Sequence, residues 1–160
     1  MRDVADGYMA AFRRKGACGI PLFQDLQIWQ KAHHLVLDAY KASGSLPAEE
    51  RYSLKRQMRR AAYSIPASIA EGQRRGTDKD FAQFPAISAG SLAELQYYLV
   101  LVGDLGYVAE ADVRRLISEA AQLERMLAAF HATVQARAAR RGEIVASSGG
   151  VETVKPCETG

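Results

Sequence analysis

The chain has 160 residues and a mass of 17.5 kDa, enough for one domain with one good core and too few for two. Hydrophobic residues make up 48% and charged residues 24%, the balance of a globular protein, and no apolar run approaches the roughly 20 residues that span a bilayer. A net charge of +3 is too mild by itself to imply a polyanion partner.

The first 21 residues have no stable period. Asp3, Asp6, Arg13, Arg14 and Lys15 interrupt them and leave no apolar core for a signal peptide. Cys18 and Cys157 stand far apart, with neither a disulfide framework nor a metal-ligand spacing. A cytoplasmic protein with a flexible segment over residues 1–21 is expected.

Four helical periods follow. Phe23 to Ala42 places Leu26, Trp29, His33, Val36 and Tyr40 three and four apart, and Gly44 and Pro47 end it. The second helix is expected from near Glu49 to Gly72, with Leu54, Met58, Ala61, Ile65 and Ile69 inward and a kink near Ala62 where Pro66 removes a backbone donor. The third covers about Lys79 to Leu105, capped by Thr77 or Asp78, with Phe81, Phe84, Ser88, Ser91, Leu95, Tyr98 and Val102 inward. The fourth runs from about Ala111 to Arg140, and Val113, Leu116, Ala120, Leu123, Leu127, Phe130 and Val134 keep heptad spacing. No segment alternates with period two for long enough to be a strand. The pattern predicts an all-α, antiparallel up-down-up-down four-helix bundle over residues 22–141. Ser147, Ser148, Gly149 and Gly150 lie in a flexible tail expected over 142–160.

The charge is unevenly placed. Between Arg51 and Arg75 stand seven cations (Arg51, Lys55, Arg56, Arg59, Arg60, Arg74 and Arg75) against one acid, Glu71, a local +6. The remainder of the chain is therefore net acidic. On a helical wheel Lys55, Arg56, Arg59 and Arg60 oppose the apolar stripe of the second helix, with Tyr52 and Tyr63 among them. Arginines bind phosphates bidentately and aromatic rings offer stacking surfaces, a combination suited to single-stranded or irregular RNA. The same face also fits a solvated surface or a contact with another subunit.

Catalytic and metal patterns are absent. A di-metal bundle site needs Glu-x-x-His pairs, and none of His33, His34 and His131 stands three residues after a Glu. Glu71 and Glu94 are instead expected to pair with Arg59 and Arg60 and hold the second and third helices in register, with Gly90 and Ser91 allowing close contact. Ser64, Ser68, Ser88 and Ser91 lack a His and Asp relay, and no Gly-x-Ser-x-Gly elbow occurs. Gly72, Arg75, Gly76 and Thr77 do not make a phosphate loop. No cofactor and no metal are expected.

Three stretches carry a resemblance: Phe23 to Trp29 (FQDLQIW), Gln57 to Gly72 (QMRRAAYSIPASIAEG), and Gly90 to Leu95 (GSLAEL) with Leu105-Gly106-Tyr107. Over Leu22 to Val134 the chain resembles the four-helix-bundle proteins encoded in intervening sequences of 23S ribosomal RNA genes. The same fold includes the accessory variability determinant proteins of diversity-generating retroelements. Ser68 stands where the family usually has Asn, and Pro85 interrupts a segment usually free of proline. The resemblance implies a homopentameric barrel of bundles with a basic surface. Its retroelement branch implies binding to RNA or DNA and to a reverse transcriptase. A motif of Glu71, Gly72, Ser91 and Glu94 is expected to serve folding or subunit assembly. Two functions compete: an oligomeric nucleic-acid-binding accessory protein, and a protein–protein scaffold or intervening-sequence protein that does not itself bind nucleic acid. A metal-dependent nuclease has no ligand cluster to support it.

Overall fold

The computed structural model of the chain describes residues 23–73 and 83–148, and every regular element among them is helical. Helix α1 (Gln27–Ala42) follows a 3-10 turn at Phe23–Asp25. Two further 3-10 turns, Ser43–Ser45 and Ala48–Arg51, lead into α2 (Leu54–Gln73). Then come α3 (Gln83–Asp104) and α4 (Glu110–Ser148). Packing runs around a ring, α1 on α2, α2 on α3, α3 on α4 and α4 on α1, which closes an up-down-up-down four-helix bundle. Arg74, Arg75, Thr77, Asp78, Lys79, Phe81 and both cysteines lie outside the described residues.

The core is aliphatic. Leu35, Met58, Ile65, Leu92, Leu95, Leu99, Leu116, Leu123 and Leu127 are essentially inaccessible to water. Each such side chain contributes about 1.5–3 kcal/mol relative to exposure. On α2 the expected residues Met58, Ala61, Ile65 and Ile69 are buried, with Leu54 half-buried. On α4 the heptad residues are buried except Phe130, which packs at the margin.

Helix α1 departs from its expected stripe. Its buried residues are Ile28, Ala32, Leu35, Val36 and Ala39, so the inner face is turned by about one residue. Ala32 and Ala39 let α1 approach its neighbours closely. The bulkier, partly polar Trp29 and His33 pack on the flank, where their ring nitrogens stay within reach of water. Tyr40, expected inside, is exposed.

Local chemistry sets the helix ends. Helix α2 starts at Leu54 rather than Glu49 because the Ala48–Arg51 turn intervenes. There the Glu50 carboxylate accepts from the Ser53 hydroxyl and, at 3.3 Å, from the Leu54 N–H, and the Ser53 carbonyl accepts the Gln57 N–H at 3.1 Å. A carboxylate at a helix N-terminus also complements its dipole. Helix α2 runs unbroken through the buried Pro66, and the Ser64 and Ser68 hydroxyls bond back to the carbonyls of Ala61 and Ser64. Pro85 is the third residue of the described part of α3, in the first turn, where a missing N–H leaves no helical bond unmade.

Helix α3 ends in a Schellman turn. Gly106 takes φ +70°, its N–H bonds to the Gly103 carbonyl at 2.9 Å, and the Tyr107 N–H reaches the Val102 carbonyl at 3.0 Å. This gives the Leu105-Gly106-Tyr107 sequence a structural cause, since a side chain is disfavoured at that φ. Helix α4 continues to Ser148, past Gly142, so the expected start of a flexible tail at 142 is corrected to helix there. The arginines and alanines before Gly142 are strong helix formers, and one glycine costs only about 1 kcal/mol.

Candidate nucleic-acid interface

The expected basic face is a groove. The turn Ala48–Arg51 and the N-terminal half of α2 form most of it, and the end of α1 supplies Tyr40. It encloses about 760 Å³ of open space and is lined by Tyr40, Leu46, Ala48, Arg51, Tyr52, Lys55, Arg56, Arg59, Arg60 and Tyr63. Five of the seven expected cations thus meet around one depression, and no carboxylate lines it. Spacings of three and four residues put Lys55, Arg56, Arg59, Arg60 and Tyr63 on the solvent side of α2, opposite Met58 and Ile65.

The cations are held differently. Arg59 is half-buried, donates from Nε to the Ser43 hydroxyl oxygen at 2.7 Å, and sets its guanidinium carbon 4.7 Å from the centre of the Tyr40 ring. Ser43 is itself buried and donates to the Tyr40 carbonyl at 2.8 Å, so the end of α1 fixes Arg59. Lys55 donates to the Leu46 carbonyl at 3.4 Å. Arg51 lies 5.7 Å from the Tyr52 ring centre. Arg56 and Arg60 are exposed. Such a set of like charges is tolerable because water screens it.

The expected charge network is divided by the structure. Arg60 Nη2 stands 4.0 Å from Glu94 Oε2, with both side chains more than half exposed. Arg59 turns away to α1, so it does not join α2 to α3. Glu71 is exposed on the last turn of α2, Gly72 beside it is buried, and Ser91 is half-buried on α3. Gly90 is exposed, and a Cβ added there would meet nothing within 4 Å, so it provides no close helix contact inside the bundle. Close approach occurs at Gly103, where a Cβ would come 3.3 Å from the Val113 side chain. Within the apolar contact between α2 and α3, Ser88 is buried and donates to the Ile65 carbonyl at 3.2 Å.

Two features escaped the sequence reading. Tyr40 lines the groove and the buried Ser43 holds Arg59 from behind it, yet both lie on another segment, and no wheel of α2 reveals them. The second is an ion cluster joining α1 to α4: Arg115 Nη1 bonds Asp38 at 3.0 Å and Glu119 at 2.9 Å, while Lys41 bonds Asp38 at 2.9 Å. Burial opposes ionisation of Asp38, but the hydrogen bonds from Lys41 and Arg115 outweigh it and hold the carboxyl below its usual range. On α1, Trp29 stacks on His33 with centroids 5.0 Å apart and planes 7° from parallel, and Phe23 meets Trp29 edge-on at 5.1 Å. Burial and the neighbouring His34 push the His33 pKa down.

Among the described residues no group of three or more His, Cys, Asp or Glu is placed to hold a metal ion, and no helix is long and apolar enough to cross a membrane. Fold and groove together define a class: a four-helix bundle with a basic, tyrosine-flanked depression on its second helix. Residues 24–129 match the model of the 23S rRNA-intervening sequence protein family, and the chain belongs to that family. Among solved structures it is similar to a protein of unknown function from the S23 ribosomal protein family of Bacteroides thetaiotaomicron. That match has a TM-score of 0.61 and 17% identity, and it covers 65% of this chain and 97% of that one. At this identity the likeness speaks for the fold. No curated protein matches the chain.

Proposed function

We propose that this protein is a non-enzymatic, oligomeric accessory protein of the cytoplasm that binds RNA or DNA phosphates through the groove on α2. The observation that carries this reading is the convergence of Arg51, Lys55, Arg56, Arg59 and Arg60 on one depression without a lining carboxylate. Phosphate binding of this kind is insensitive to sequence and weakens steeply with salt, each contact to a single strand contributing roughly −0.7 to the slope of log affinity against log salt. Arg74 and Arg75, which follow α2 in the sequence and lie outside the described residues, are proposed as further phosphate contacts.

The assembly we infer is a homo-oligomer, a pentamer on the family likeness. Its support is the outward side of α3, where Gly90 and Ala93 lie beside Tyr97 (61% exposed), Val100 and Ile87, an apolar surface unusual for a helix facing water. A reverse transcriptase as the protein partner follows from the resemblance to the retroelement branch. The competing reading is a scaffold whose basic groove receives an acidic protein or a neighbouring subunit.

Changing Lys55 and Arg56 together to Gln tests the proposal. Affinity and salt slope should both fall while the helical circular dichroism is unchanged. No binding by the wild type at low salt, to RNA or to DNA, would overturn the proposal and favour the scaffold reading.

A further inference from the structure

We infer that the groove is built for a single strand, with unstacked bases lying on Tyr52 and Tyr63, rather than for a duplex. This rests on the nucleic-acid reading above and names its substrate class.

The two rings have no role in the core. Tyr52 is 78% exposed and Tyr63 49%, and both line the groove. Tyr63 stands on α2, and Tyr52 stands in the turn between Ala48–Arg51 and the start of that helix. Arg56 and Arg59 come between them in the sequence, and the two rings and two cations line the same depression. A duplex keeps its bases stacked on one another and presents phosphates, so it has no use for the rings. A single strand has both phosphates for the arginines and base faces for the tyrosines.

Arg59 is set in advance for the phosphate. Its Nε–H is committed to Ser43 and one face of its guanidinium to Tyr40. Its Nη hydrogens remain as a planar fork matched to phosphate oxygens. Tyr40 is therefore the prop of Arg59, while Tyr52 and Tyr63 are the platforms. Stacking on a ring does not read the sugar, so RNA and DNA strands share this chemistry.

The test measures fluorescence anisotropy of the full chain with labelled probes of about 12 nucleotides. The probes are oligothymidylate, oligouridylate, a thymidylate–adenylate duplex and an abasic strand that keeps only the phosphates and sugars. Both intact strands should bind at least tenfold tighter than the duplex or the abasic strand. Tyr52→Leu with Tyr63→Leu should weaken the intact strands by roughly 5- to 150-fold per ring, leaving the abasic affinity and the salt slope unchanged. Tyr52→Phe with Tyr63→Phe should restore binding, because the ring and not the hydroxyl acts. Equal or tighter binding of the duplex or the abasic strand would overturn this inference and leave the phosphate reading standing. Unchanged affinity in the leucine variant would do the same. Failure of every probe to bind would overturn both.

Discussion

Arg59 lies over the ring of Tyr40, its guanidinium carbon 4.7 Å from the ring centre, while its Nε is bonded to the last buried polar group of the α1 end, Ser43. The side chain is thus both a fastener between α1 and α2 and a charge on the wall of the groove. Lysine keeps the charge but has neither the plane that stacks nor the Nε that reaches Ser43. Arg59→Lys is therefore expected to lose about 1 kcal/mol of stability by urea denaturation. It should also bind a single strand less tightly than wild type. Affinity equal to wild type would mean that charge alone acts at this position.

The pair Arg60 and Glu94 has the opposite character. At 4.0 Å and more than half exposed on both sides, it is screened by water and contributes little. A double-mutant cycle with Arg60→Gln and Glu94→Gln should return a coupling of less than about 0.5 kcal/mol. A coupling several times larger would restore the register-holding role that the motif suggested.

Ser88 should matter more than either charge. It is buried between α2 and α3 and donates to the Ile65 carbonyl, next to Pro66. Ser88→Ala leaves that contact unmade and should cost about 1 kcal/mol. Ser88→Leu adds volume where two helices meet and should cost about 1–3 kcal/mol or more. Denaturant midpoints measured on both variants check the order, and a leucine variant as stable as wild type would contradict the packing described.

Two pH steps are expected in stability. Folding lowers the His33 pKa, so the unfolded chain binds protons more readily and stability falls as the pH drops through about 6.5. The fall ends once the pH is below the folded pKa. Asp38 behaves as a depressed carboxylate: its contribution is present above about pH 3.9 and is lost as the pH falls through the lower folded value. His33→Phe keeps a ring for Trp29 to stack on and should remove the first step from a plot of Tm against pH, leaving the second. Persistence of the first step would assign it to another group.

The outer face of α3 gives the last expectation. Light scattering at micromolar concentration should return a mass well above the 17.5 kDa of one chain. Tyr97→Glu with Val100→Glu places two charges on this exposed face and should dissociate the assembly while retaining helical circular dichroism, because neither residue is in the core. A wild-type mass of 17.5 kDa would refute the oligomer.

The sequence by itself determined the class of fold and the location of the cations. Heptad spacing from Val113 to Val134 and the apolar row from Met58 to Ile69 specify buried helix faces, because burial of aliphatic area dominates the energy of folding. The row Lys55, Arg56, Arg59 and Arg60 was legible for the same reason, lying opposite that apolar row on one helix. Only the tertiary structure decided the rest. It turned α1 so that Ala32 and Ala39 face inward and Trp29 and His33 ride on the flank, a choice made by how closely neighbouring backbones can pack. It brought Tyr40 and Ser43 from the end of α1 to Arg59, and separated Arg59 from Arg60 although they adjoin in the chain. Periodicity reports the faces of single helices, whereas contacts between helices depend on how those faces are rotated and spaced against one another.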